Sequence, residues 1–179
     1  MHEVPAVPFT GAPFPVSTTR YPVPGTPYPV NIMSVDVASE ILIERPPGIV
    51  SAYVSDPANA PSWHDHIKSA GWLHDAAPRV GSRISIVAEF LGRKLEFIYE
   101  ISVFTPGEKL EMRSVEGPFP MQTAYVFEET RDGHTRVSMR NHGEPSGVSK
   151  LMTPMIATAM RSAGEKDLAK LKRILEGHT

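Results

Sequence analysis

One order of patterns constrains this chain more than any other feature. A single strand-like segment is followed by two short, proline-broken helical segments, then by six closely spaced strand-like segments, and last by a long helical period. Val35, Val37, Ile41 and Ile43 alternate along the first strand, in which the spacing allows one irregularity. Arg45-Pro46-Pro47 ends it. Ile49, Val50, Tyr53 and Val54 then recur at helical spacing up to Asp56-Pro57, and a second helical turn runs from Ala58 to Trp63.

The next strands are expected at 67–74, 82–91, 94–104, 109–115, 121–129 and 134–142. A Gly92-Arg93 turn, Pro106-Gly107, Gly117-Pro118 and Asp132-Gly133 separate the later ones. Strands joined by such short turns pair as an antiparallel meander. From about Ser146 to Glu176 the period becomes helical, with Leu151, Met152, Met155, Ile156, Met160, Ala163, Leu168, Leu171, Ile174 and Leu175 in one stripe. Pro154 predicts a kink or a lead-in turn, and Gly177 a stop.

The face assignment follows from period two. Ile84, Ile86, Ala88 and Phe90 share one side of their strand, as do Leu95, Phe97, Tyr99, Ile101 and Val103 on the next. The same side continues through Leu110, Met112, Ser114, Met121, Thr123, Tyr125, Phe127, Val137, Met139 and Asn141. Arg83, Glu89, Lys94, Glu96 and Glu100 fall on the wet side, where they are remote from acid–base work unless a bulge turns Glu100 or Arg113 inward. A sheet dry on one face needs a cover, and the terminal helix is the element long enough to supply it. The class is α+β: a curved antiparallel sheet of about seven strands around a long C-terminal helix, with two short helices after the first strand.

Eight of the 18 prolines lie in the first 30 residues, and Pro8, Pro15, Pro22 and Pro29 recur every seven. Proline fixes φ and removes a donor, so residues 1–32 are expected as an extended or disordered arm ahead of a domain at 33–179. A translated leader before Met33 is one alternative, and docking of the arm's aromatic residues on its own domain or on a second subunit, as in a homodimer, is another. The net charge of −2 leaves no footprint for nucleic acid, and no apolar run is long enough to span a bilayer. With no cysteine and no signal-like N-terminus, the chain reads as cytoplasmic.

The Asp56 to Trp63 element (Asp-Pro-x-x-x-Pro-x-Trp), the hairpin from Leu91 to Glu96, the Gly117-Pro118-Phe119 turn and the terminal helix together resemble the polyketide cyclase/dehydrase and lipid transport family. That family belongs to the START-like (SRPBCC, birch-pollen-allergen-like) helix-grip superfamily, and the resemblance covers roughly residues 35–176. It implies a helix-grip fold around a cavity, and a function of binding, or carrying, a hydrophobic small molecule such as a lipid, polyketide or aromatic metabolite. The alternative is a cofactor-independent cyclase or dehydratase. A third class is an interaction protein that recruits a partner through its arm or surface.

Candidate ligand contacts on the dry side are Phe90, Phe97, Tyr99, Met112, Met121, Tyr125 and Met139. Trp63 and Phe119 join them from the rim, and Met152, Met155 and Ile156 from the helix. Tyr99 and Tyr125 are the catalytic candidates, because a phenol in an apolar pocket needs a partner and a ligand carbonyl can be one. Ser114, Thr123 and Asn141 add weaker polar contacts.

His64-Asp65-His66 has the side chains to bind a metal or exchange protons, but spacing names no third ligand, His74, His134 and His142 being only possibilities, and the segment is read as a solvated turn; no metal and no cofactor are expected. Lys166, Lys170, Lys172 and Arg173, interleaved with Glu165 and Asp167, read as the solvated face of the helix.

Overall fold

A computed structural model of the chain describes residues 34–74, 77–90, 92–144 and 153–177, with Phe90 and Thr153 by their backbone alone. The expected arm (1–32), Met152 and the side chain of Phe90 lie outside the described residues. Strand β1 (Val35–Ile43) is followed by helix α1 (Pro47–Ser55), a 3-10 turn at Pro57–Asn59 and helix α2 (Ala60–Trp63). Then come β2 (Ile67–Trp72), β3 (Arg83–Phe90), β4 (Arg93–Thr105), β5 (Lys109–Glu116), β6 (Met121–Glu129) and β7 (Thr135–Gly143). Helix α3 (Thr153–Glu176) comes last.

The seven strands form one sheet in the order β1-β7-β6-β5-β4-β3-β2, antiparallel throughout. Strands β2 to β7 are a meander, with short turns joining β3 through β7 and a longer connection, residues 73–82, between β2 and β3, and β1 closes on β7. The pairing of β1 with β7 runs without a break from Val35↔Gly143 to Ile43↔Thr135, so the irregularity expected in β1 is absent. Its alternation survives intact: Val35, Val37 and Ile43 are buried. The irregularities lie in β2 between Ile67 and Ser69, and in the β4–β5 pairing on either side of Glu100. Glu100 nevertheless stays outward, accepting hydrogen bonds from Arg83 at 3.1 Å and Arg113 at 3.3 Å.

The two short helices end where proline chemistry ends them. Pro47 occupies the first turn of α1, whose free N–H groups it does not miss, and Ile49 and Val50 donate to the carbonyl of Pro46. The residue before a proline avoids helical angles, so Asp56 turns extended ahead of Pro57. Its carboxylate accepts from the Ala58 N–H at 3.0 Å and starts the 3-10 turn.

Helix α3 lies against β1 and carries Leu168 and Leu171 fully buried in the core with Ile43, Val50 and Val137. Pro154 sits in its first turn, where a missing N–H costs nothing, so it starts the described helix rather than kinking it. Helix and sheet approach closely at Gly164, where a Cβ would stand 2.9 Å from the Met139 methyl and 3.1 Å from the Ser39 hydroxyl.

Candidate functional site

The inner face of the sheet, α2 and α3 line an open-mouthed cavity of about 900 Å³. Strand β3 lines it with Ile84, Ile86 and Ala88, and β4 with Leu95, Phe97 and Tyr99. Met112 comes from β5, Met121, Thr123 and Tyr125 from β6, and Met139 and Asn141 from β7. Helix α3 adds Ile156, Met160, Ala163, Gly164 and Asp167, spaced at successive turns of one face.

Most sequence-derived candidates thus meet in one place. Trp63, Phe97, Tyr99, Met112 and Phe119 all line the cavity, as do Met121, Tyr125, Met139 and Ile156. Met155 does not. It is 58% exposed, because it stands about 100° around α3 from Ile156. Trp63 is 1% exposed, so it is a wall of the cavity rather than part of its rim. Phe119, on the turn between β5 and β6, meets Phe97 edge to face at 5.5 Å.

The polar atoms of the site form two groups. In the first, the hydroxyls of Tyr99 and Thr123 are hydrogen-bonded and Thr123 donates to Asn141 Oδ1 at 2.8 Å. Burial pushes the Tyr99 phenol well above the ordinary tyrosine range, with the Thr123 bond opposing the shift. In the second group, His64 Nδ1 lies 2.7 Å from Asp167 Oδ2 and His64 Nε2 lies 3.2 Å from the Tyr125 hydroxyl. The second carboxylate oxygen of Asp167 accepts the Asp65 N–H at 3.1 Å. Burial first, then the Asp167 carboxylate and the Tyr99 phenol, raise Tyr125 far above the ordinary range, so it remains a hydroxyl donor.

Local structure explains why His64 turns inward. Its N–H donates to Ala60 at 2.9 Å and closes α2, while its own backbone is already extended toward β2. The Trp63 indole lies 3.6 Å from the imidazole, centre to centre, and packs edge-on to Tyr125 at 6.1 Å. Asp65 points the other way, to Lys170 at 2.8 Å, whose hydrogen bond first and charge second hold its carboxyl below the usual range.

Two readings are corrected here. His64 belongs to a buried hydrogen-bonded chain instead of a solvated turn, and Asp167, 5% exposed, belongs to the inner face of α3 rather than to its solvated one. The cavity side therefore carries an acid–base pair that alternation along the strands did not reveal. A signal existed for Asp167: it lies four residues after Ala163 and four before Leu171, inside the apolar stripe. For His64 the signal was its place in a motif able to exchange protons, whereas its inward direction depends on how α2 ends.

Trp63 and Ser55 line the same space with their side chains, yet one polar atom of each is sealed within the protein. The Trp63 indole N–H and the Ser55 hydroxyl have no hydrogen-bond partner among the described residues, although the two side chains are nine-tenths or more buried. Among the described residues, no group of three or more histidine, aspartate or glutamate side chains is placed to hold a metal ion.

A long helix gripped by a curled seven-stranded antiparallel sheet, with two short helices after the first strand, defines the START-like helix-grip class. Residues 34–176 match the sequence profile of the family described as "Polyketide cyclase / dehydrase and lipid transport", and the chain belongs to that family. A search of curated proteins found no match.

Among solved structures, the protein TTHA0849 from Thermus thermophilus is similar at a TM-score of 0.69 and 21% identity, over 80% of this chain and 99% of that one. A START superfamily protein from Mycobacterium smegmatis follows at 0.68 and 18%, over 80% and 99%. The di-domain ARO/CYC BexL of the BE-7585A biosynthetic pathway is similar at 0.62 and 19%, over 79% of this chain and 46% of that one. At such identities the likeness is one of fold. Among the described residues, no helix is long and apolar enough to cross a membrane.

Proposed function

We propose that this protein binds, and in the cell carries, an apolar small molecule bearing an oxygen group, such as a lipid, polyketide or aromatic metabolite. One observation carries the reading: a cavity of about 900 Å³ is walled by aliphatic, aromatic and thioether side chains, with the polar side chains of Tyr99, Thr123, Tyr125 and Asn141 among them. Pockets for small organic ligands have volumes of this order, and their few polar groups orient the ligand. Family membership supports the same class of ligand. A cytoplasmic setting goes with it, in keeping with a chain without cysteine.

The test is extraction and mass spectrometry of small molecules from freshly purified protein, followed by rebinding of what is found, read by quenching of tryptophan fluorescence. A bound apolar compound with a carbonyl, hydroxyl or carboxyl group is expected. Recovery of no ligand, together with no quenching across a series of apolar ketones, phenols and fatty acids, would overturn the reading.

A further inference from the structure

Binding alone does not account for the chain Asp167–His64–Tyr125. A carboxylate at 2.7 Å from Nδ1 takes that nitrogen's proton as a hydrogen bond and thereby leaves the lone pair on Nε2. Nε2 faces the Tyr125 hydroxyl at 3.2 Å. This is the general arrangement of an oriented base: one group holds the imidazole, and the free nitrogen is presented to the reacting side. Tyr125, kept protonated by its surroundings, has a single hydrogen to donate. If that hydrogen turns to a ligand oxygen, Nε2 is released to accept a proton. The Trp63 ring against the imidazole screens the pair from water, and the His64 side chain is only 13% exposed.

We infer that Asp167, His64 and Tyr125 form a proton-transfer centre that enolises an apolar ketone held in the cavity. His64 Nε2 removes a proton from the carbon next to the carbonyl, and the Tyr125 hydroxyl donates to the carbonyl oxygen. The C–H bond breaks, its electron pair becomes the C=C bond of the enolate, and the proton forms an N–H bond on His64. The imidazolium shares its charge with the Asp167 carboxylate. Return of the proton to oxygen gives the enol, and to carbon gives back the ketone; no co-reactant is consumed. His64 and Tyr125 touch the ligand, whereas Asp167 is a positioning residue that acts through His64. The inference rests on the reading of the cavity as a site for an oxygen-bearing apolar molecule.

The experiment uses the full chain with 2-tetralone, a bicyclic ketone, in D2O. Binding is read by tryptophan fluorescence, and loss of the protons next to the carbonyl by NMR. Exchange about 10²–10⁴-fold above the buffer rate is expected, the usual range for a positioned general base. His64→Gln should bring it to the buffer rate with 2-tetralone still bound. Tyr125→Phe, which keeps the shape of the ring, should lower it at least tenfold.

Asp167→Asn should lower the rate at saturating ketone without raising the ketone concentration needed for half-saturation, a split that a merely structural role would not produce. His134→Gln, outside the cavity, should leave exchange unchanged and serves as the control. Bound 2-tetralone that exchanges only at the buffer rate, or exchange that survives His64→Gln, overturns the proton-transfer step alone. Absence of binding by 2-tetralone and by every other apolar ketone removes the ketone site and the inference with it.

Discussion

His64 Nδ1 and Asp167 Oδ2 meet at 2.7 Å across 103 positions of sequence, and this bond joins the end of α2 to the middle of α3. The same carboxylate holds the Asp65 N–H, and Lys170 of α3 holds the Asp65 side chain. Replacing Asp167 by Ala leaves an imidazole and a backbone N–H unpaired at once. The expected loss is about 1–3 kcal/mol, read as a lower urea midpoint at unchanged slope. A loss below about 0.5 kcal/mol would mean that the contact adds little to stability.

Ser55 should respond in the opposite sense. Its hydroxyl is buried in α1 without a partner among the described residues, so Ser55→Ala should leave the stability of the ligand-free protein unchanged or raise it by up to about 1 kcal/mol. Ligand affinity should be unchanged in the same variant, since the hydroxyl offers no surface to the cavity. Calorimetry on both proteins separates the two effects.

Gly117 sets the position of Phe97. A Cβ there would stand 2.3 Å from the Phe97 ring, and Phe97 in turn packs on Phe119 and Tyr99. Gly117→Ala should displace that aromatic wall, cost about 1–3 kcal/mol by overpacking, and change ligand affinity. Thermal unfolding and fluorescence titration measure the two; an unaltered melting point would argue that the ring moves aside freely.

Tyr99 and Tyr125 make the protein sensitive to alkali. Both phenols are raised in the folded state, so above about pH 10 the unfolded chain releases protons that the folded one keeps. Fewer protons in the unfolded state mean that stability falls as pH rises. Below that range the two groups contribute no pH dependence. Absorbance at the tyrosinate band should show two of the five tyrosines ionising only with unfolding, and the double Phe variant should flatten the alkaline decline.

Local period made most of the fold legible. Alternation in 84, 86 and 88, and again in 97 and 99, put on one face the residues that line the cavity, and short turns implied a meander. The same rule misplaced Asp167, since charged neighbours such as Lys166 and Lys170 invited a solvated reading of a position that helical spacing puts on the apolar stripe. Phe119 was recognisable as a ligand candidate because it follows Gly117-Pro118 on a turn; Trp63 was recognisable too, but its full burial was not.

Sequence by itself determined which elements form and which of their faces are dry, because periods of 2.0 and 3.6 residues are properties of a single segment. Only the tertiary structure decided that α2 ends with His64 turned inward, that α3 crosses the sheet at Gly164, and that Asp167 and Tyr125 arrive on either side of one imidazole. Those distances depend on how far the sheet curls and where the helix seats. Such quantities are set by the packing of the whole core, and no local pattern contains them.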